Sequence, residues 1–340
     1  MRHLAKILIF LIFITALGTI GLAGYVAYEG YNFLNAPAET PGREVVFQVQ
    51  PGETFDQAAR RLQEQGLVSN MDYFRVLGQW KGKLGSIQAG EFVLHSHWKP
   101  EQVLEALVSG PPRLYKLSLR EGLTWRQTAE IVQEAGFADY DDFAAAVRDK
   151  ELLAKHNIPF DTAEGFLFPN TYLLQKPQQK DAKPVVELLL ASFWEQTKEI
   201  WPEPPAPDEL KRVVTLASMV EKESGVSPER PRIAGVFANR LKRKMLLQSD
   251  VTIIYGLGDA FNGNLTKKHL QDRDNPYNTY TRAGLPPTPI CSPGLESLKA
   301  AAQPEEHNYL YFVSKQDGSH YFSKSLKEHN NAVRKYQLKR

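Results

Sequence analysis

Twenty-two consecutive uncharged residues, Ile7 to Tyr28, constrain this 340-residue chain more than any other feature. At about 1.5 Å per helical residue such a run crosses a hydrocarbon core of about 30 Å. Arg2 and Lys6 precede it. The positive flank predicts a cytoplasmic tail (residues 1–6), a transmembrane helix (7–28) and an exported body. A cleaved signal peptide is the competing reading. Gly21, Ala23, Gly24 and Ala27 supply small residues for a cleavage site, but the length of the run favours a retained anchor.

The remainder has the composition of ordinary globular material and is long enough for two or three cores. A formal charge of +2 gives no electrostatic case for nucleic acid. The lone Cys291 excludes an intrachain disulfide framework. No Cys/His cluster has metal-ligand spacing, and His95 and His97, alternate residues on an expected strand, read as surface or packing residues. Phosphate-loop, dinucleotide and nucleophile-elbow motifs are absent, so no metal or organic cofactor is expected.

Residues 29–43, rich in Ala, Pro and Gly at their C-terminal end, read as a linker. A repeat then appears at an offset of 70 residues. Val45 to Gly52 leads into Thr54, Phe55, Gln57, Ala59, Leu62 and Gly66; Leu114 to Gly122 leads into Thr124, Trp125, Gln127, Ala129, Val132 and Gly136. Each copy predicts a short alternating strand, a glycine turn, and a helix with a threonine N-cap that closes at glycine. The overall expectation is an α+β chain with related small modules at 44–112 and 113–160 and a catalytic domain at 161–340. The strand, turn and helix order looks like a LysM-type module, a class that lies across N-acetylglucosamine-containing chains. In the C-terminal half, helices are expected at 185–200 and 232–242, a hairpin around Asp317-Gly318, and a polar helix from about Ser325.

One helix stands out chemically. The apolar run Val213-Val-Thr-Leu-Ala-Ser-Met-Val220 ends in Glu221-Lys-Glu-Ser-Gly225, which predicts a glycine-capped helix with Glu221 in its last turn. Burial and the negative end of the helix dipole both disfavour a charged carboxylate there, and a protonated acid can serve a poor leaving group such as a glycosidic oxygen. A Glu that snorkels to solvent or pairs with an arginine is the bland alternative. At about 100° per residue, Glu221 and Glu223 project roughly 200° apart, so they cannot both enter one cleft. Periodicity does not choose between them.

Four stretches of this half go together: Glu164-Gly-Phe-Leu-Phe-Pro-Asn-Thr-Tyr172, Leu216 to Gly225, Leu247-Gln-Ser-Asp250 with Tyr255-Gly256, and Tyr277-Asn-Thr-Tyr-Thr281 leading to Gly284-Leu-Pro-Pro287. In order and wording they resemble the endolytic murein transglycosylase family of bacterial inner membranes. The resemblance covers nearly the whole chain. Departures are small: Ser249 stands where that family's string has threonine, and Val251 where a proline commonly follows.

The resemblance implies a membrane-anchored enzyme of the inner membrane with an extracytoplasmic body. Its action would be to cut the β-1,4 bond between N-acetylmuramic acid and N-acetylglucosamine in nascent peptidoglycan and to leave 1,6-anhydro ends, so terminating or trimming glycan elongation. It also implies association with penicillin-binding proteins or other wall synthases. It maps the catalytic acid to Glu221. Glu164, Asp250, Gln248 and Ser249 become candidates for binding sugar hydroxyls or N-acetyl groups, and Phe168, Tyr172, Tyr277, Asn278 and Tyr280 for stacking and polar contacts with the glycan. Two rivals remain: a hydrolytic muramidase using Asp250 or Glu164 to direct water, and a non-catalytic wall-binding scaffold.

Overall fold

The computed structural model describes residues 2–177, 181–225 and 227–338 and shows a mixed α+β chain with an apolar N-terminal helix and small two-stranded sheets. It divides into two compact units: Met1–Tyr115 with Leu173–Gln178, and Lys116–Tyr172 with Gln179–Arg340.

The first unit begins with α1 (Arg2–Asn35), of which Ile9–Asn35 is long and apolar enough to cross a membrane. The expected linker at 29–43 therefore starts late. The helix continues because Phe33 inserts its ring into the unit's core, 5.7 Å from the Tyr73 ring. There follow β1 (Glu44–Val49), α2 (Phe55–Glu64), α3 (Met71–Trp80), β2 (Gly90–His95) and α4 (Pro100–Ser109). β1 and β2 are antiparallel, with Phe47 opposite Phe92 and both rings buried. The threonine cap is as the sequence predicts. Thr54 accepts from the Gln57 amide, and the Gln57 side chain accepts from the Thr54 amide at 2.9 Å. Gly66 closes the helix at φ +68°.

β3 (Tyr115–Ser118) opens the second strand and helix set, followed by α5 (Trp125–Glu134), α6 (Tyr140–Ala146), α7 (Lys150–Lys155) and β4 (Thr171–Leu174), which pairs with β3. Thr124 and Gln127 repeat the capping box, so the 70-residue sequence repeat is a repeat of local structure. From Lys116 to Tyr172 this set belongs to the same compact unit as the C-terminal half.

That half consists of α8 (Lys183–Gln196), α9 (Pro207–Glu223), α10 (Arg230–Lys242), α11 (Asp250–Leu257), α12 (Lys267–Gln271), α13 (Leu295–Ala302), the antiparallel hairpin β5 (Tyr311–Ser314) and β6 (His320–Ser323), and α14 (Leu326–Tyr336). α9 starts with Pro207 and two acids in its first turn, residues suited to a helix N-terminus. Every residue from Val213 to Val220 is buried. α10 and α13 pack against it and against each other. A helix enclosed on most sides is apolar most of the way round, which is why 213–220 reads as a continuous run rather than a stripe.

The C-terminus of α9 differs from expectation. Its cap is Ser224, in extended conformation at φ −87° and ψ 114°, so Gly225 is not a left-handed cap. Glycine is needed there for close approach: a Cβ on Gly225 would lie 3.0 Å from the carbonyl oxygen of Gly318, in the β5–β6 turn.

The capping box makes a quantitative prediction. Thr124→Ala should destabilise the chain by about 1 kcal/mol, whereas Thr124→Ser should stay near wild type. Urea unfolding of the three proteins checks it, and equal stability of all three would contradict the cap's role.

Candidate active site

Burial of α9 fixes where its two terminal carboxylates go. Glu221 turns toward the start of α13. Its Oε2 accepts from the Gly294 amide at 3.0 Å and the Ser297 hydroxyl at 2.7 Å, and its Oε1 from Arg230 Nη2 at 3.3 Å. The side chain is 7 % exposed. Gly294 and Ser297 are the N-cap and third residue of α13, so this carboxylate completes the free N-terminus of a neighbouring helix. Arg230 also reaches Glu121 Oε2 at 3.2 Å, on the turn before α5. Burial and the nearby Glu221 charge push the Glu121 carboxyl up, against the pull of Arg230.

The resemblance maps the catalytic acid to Glu221, and the structure places that carboxyl at the start of α13 beside Arg230. Its oxygens accept from donors on two other segments, the start of α13 and the first residue of α10.

Glu223 occupies the other side. It lines a cavity of about 490 Å³ together with Gln248, Ser249, Asp250, Tyr280 and Arg240. The β5–β6 hairpin and α14 contribute the opposite wall through residues that include Tyr311, His320 and His329. Burial pushes the Glu223 carboxyl up; the Ser249 hydroxyl, donating to Oε1 at 2.5 Å, pulls it down, and the Asp250 charge raises it further. Asp250 accepts from the Tyr280 hydroxyl at 2.6 Å, and burial with this bond pushes the Tyr280 phenol up.

The strings around 247–250 and 277–281 meet through their backbones. The Gln248 amide donates to Thr279 O at 3.1 Å and the Ser249 amide to Thr279 Oγ1 at 3.0 Å. Gln248 sits at φ +50°, a left-handed conformation that a non-glycine residue adopts only when its surroundings hold it there. Arg240 supplies a cation from the floor, donating to Leu310 O at 2.6 Å and Leu247 O at 2.8 Å beneath the Tyr311 ring. His320 is oriented by Glu229, which accepts from its backbone amide at 3.1 Å and lies 2.7 Å from Nδ1.

Of the other expected contacts, Gln248, Ser249, Asp250 and Tyr280 share the Glu223 cavity. Five residues do not. Phe168 is buried against Phe193, and Tyr172 is buried with its hydroxyl donated to Phe168 O at 2.7 Å. Asn278 is fully buried, its amide donating to the carbonyls of His269, Leu270 and Asp272. Glu164 is also fully buried. Tyr277 lies elsewhere, its hydroxyl 2.8 Å from Thr288 Oγ1 and its ring edge-on to Tyr255. Sequence reasoning missed Arg240, Tyr311 and His320, which no motif marked. It set Glu223 aside although the helical projection left that residue open.

Glu164 instead braces the unit. It accepts from the Trp125 amide at 3.1 Å and the Tyr255 hydroxyl at 2.9 Å, tying α5 to α11. Burial pushes its carboxyl up to about 7, more than these bonds and the Arg126 charge pull it down. Gly165 follows at φ +89°, where a Cβ would lie 2.6 Å from Pro289. Among the described residues no group of three or more His, Cys, Asp or Glu is arranged to hold a metal ion.

This order of strings and this fold have known relatives. The YceG-like family profile matches residues 47–335, and the chain belongs to that family. It is 29 % identical over 324 residues to the endolytic murein transglycosylase of Bacillus subtilis, covering 89 % of this chain and 88 % of that one. It is 27 % identical over 321 residues to the endolytic murein transglycosylase of Streptococcus pneumoniae, covering 85 % of this chain and 58 % of that longer protein. A crystal structure of a YceG-like protein from Listeria monocytogenes superposes with a TM-score of 0.56 at 27 % identity, covering 85 % of this chain and 98 % of that one.

The buried acid gives a pH prediction. A carboxyl raised from 4.5 to about 7 on folding holds its proton more tightly folded than unfolded, so its effect on stability is least unfavourable at or below pH 4.5 and worsens up to about 7. Over that window it should remove about 3 kcal/mol. Glu164→Gln should flatten the fall in unfolding free energy across it. Parallel curves for the two proteins would contradict the assignment.

Proposed function

We propose that the chain is a membrane-anchored lytic transglycosylase that cuts the β-1,4 bond between N-acetylmuramic acid and N-acetylglucosamine within nascent peptidoglycan strands, with a carboxyl at the end of α9 as its acid and base: the resemblance maps that role to Glu221, and the cavity favours Glu223. The observation that carries this reading is a single partly buried carboxyl, held toward its protonated form and opening into a cavity lined by two of the other motif strings. The names of the relatives supply the polymer.

The chemistry needs one group. Glu223 protonates the glycosidic oxygen as the C1–O bond breaks, and its carboxylate then takes the proton of the muramic C6 hydroxyl as that oxygen closes on C1. The product is a 1,6-anhydro end and no water is consumed. Arg240 offers positive charge to the carboxylate formed midway and already lowers the proton affinity of Glu223. Gln248 and Tyr280 present neutral polar groups to the sugar. Asp250, with one oxygen engaged by Tyr280, is read as a positioning residue rather than as a base for water.

Around this centre, α1 is proposed to anchor the chain in the inner membrane with a short cytoplasmic N-terminus, leaving the body outside the cytoplasm. The β1-α2-α3-β2 arrangement is proposed as a LysM-like grip on glycan, and the enzyme to terminate or trim strands beside the wall synthases, penicillin-binding proteins among them.

The test is the chemistry of the ends. Nascent strands digested by the full-length protein and analysed by mass spectrometry should carry 1,6-anhydro-muramic termini. Reducing termini would establish a muramidase instead, and no cleavage would leave a binding scaffold.

A further inference from the structure

α11 separates two cavities that share Val251. The first holds Glu223; the second, of about 670 Å³, lies along the C-terminal part of the helix and is lined by Arg126, Lys222, Glu130, Tyr140 and Asp259 among others. Because Val251 lines both, the second cavity adjoins the one that holds Glu223. The mechanism above does not use it.

Its chemistry differs from that of the first. Arg126 lies over the Trp125 ring with its guanidinium 4.7 Å from the centroid, and Lys222 donates to Gly122 O at 3.3 Å. Both cations border an open cavity. Two carboxylates, Glu130 and Asp259, and two apolar side chains, Ile254 and Ile290, share the lining. Stripped of peptide, the glycan presents hydroxyls, acetamides and the single lactyl carboxylate of each muramic acid, and no amine. A cavity with cations, acids and small apolar contacts fits a short zwitterionic peptide better than another saccharide unit.

We propose that this second cavity is a subsite for the peptide carried by the muramic acid residues of the glycan, with Arg126 and Lys222 receiving its free carboxylates and Glu130 and Asp259 the amine of its diamino acid. The inference rests on the peptidoglycan reading above and adds to it a preference: the chain selects strands that still bear their peptides. No covalent step occurs there.

Two substrates separate the subsite from the catalytic reading: peptide-bearing strands, and the same strands stripped of peptide by an amidase. The full-length wild type should cut the first with at least about tenfold higher kcat/KM. Arg126→Ala and Lys222→Gln should each lose about that factor on peptide-bearing strands, chiefly through KM, and Arg126→Lys should recover part of it. Unchanged melting temperatures guard against misfolding, and Lys222→Gln alters an exposed side chain. Equal wild-type rates on both substrates, or equal losses on both, would overturn the proposal while leaving the activity standing. Should neither substrate be cut, the catalytic reading fails, and equilibrium dialysis with labelled free tetrapeptide still decides the subsite: binding lost in Arg126→Ala supports it, and no binding to wild type overturns it.

Discussion

The enclosure of α9 sets the geometry of everything around it. Residues 213–220 are buried between α10 and α13, so the helix has no freedom to rotate, and its two terminal carboxylates must leave on different sides. Glu221 meets the start of α13 and the Arg230 guanidinium; Glu223 meets the cavity. One carboxylate accepts from the start of a neighbouring helix, and the other lines a cavity. The division of labour follows from a rotation of roughly 200° between them.

The site is assembled from short strings far apart in sequence because backbone bonds bring them into register. Thr279 accepts from the amides of both Gln248 and Ser249, holding the left-handed turn that starts α11 and presents Ser249 to Glu223. Glu164 works behind this surface, linking α5 to α11 from a fully buried position. Its conspicuous place in the sequence reflects a structural duty rather than contact with sugar.

Much of this was legible in the sequence where the signal is local. The capping boxes at Thr54 and Thr124, the closing glycines and the Asp317-Gly318 hairpin depend on residues a few positions apart. The end of α1 was misjudged because Phe33 is held by a core partner, Tyr73, that no local pattern reveals. Glu221 and Glu223 could not be told apart for the same reason: the bonds from Gly294 and Ser297 span more than 70 positions. Resemblance named Glu221 while the cavity lies beside Glu223, and projection had kept both open. Phe168, Tyr172 and Asn278 show the other limit, since aromatic and amide side chains serve cores and sugar sites equally well until burial is known.

The claim that one carboxylate is a strut and its neighbour the proton donor is tested most directly by comparing Glu221→Gln and Glu223→Gln for melting temperature and glycan cleavage side by side. Glu223→Gln should melt at or above the wild-type temperature and lose cleavage altogether, because an amide fills the same space and has no proton to transfer. Glu221→Gln should melt lower yet retain measurable cleavage. A folded, inactive Glu221→Gln beside an active Glu223→Gln would contradict the account.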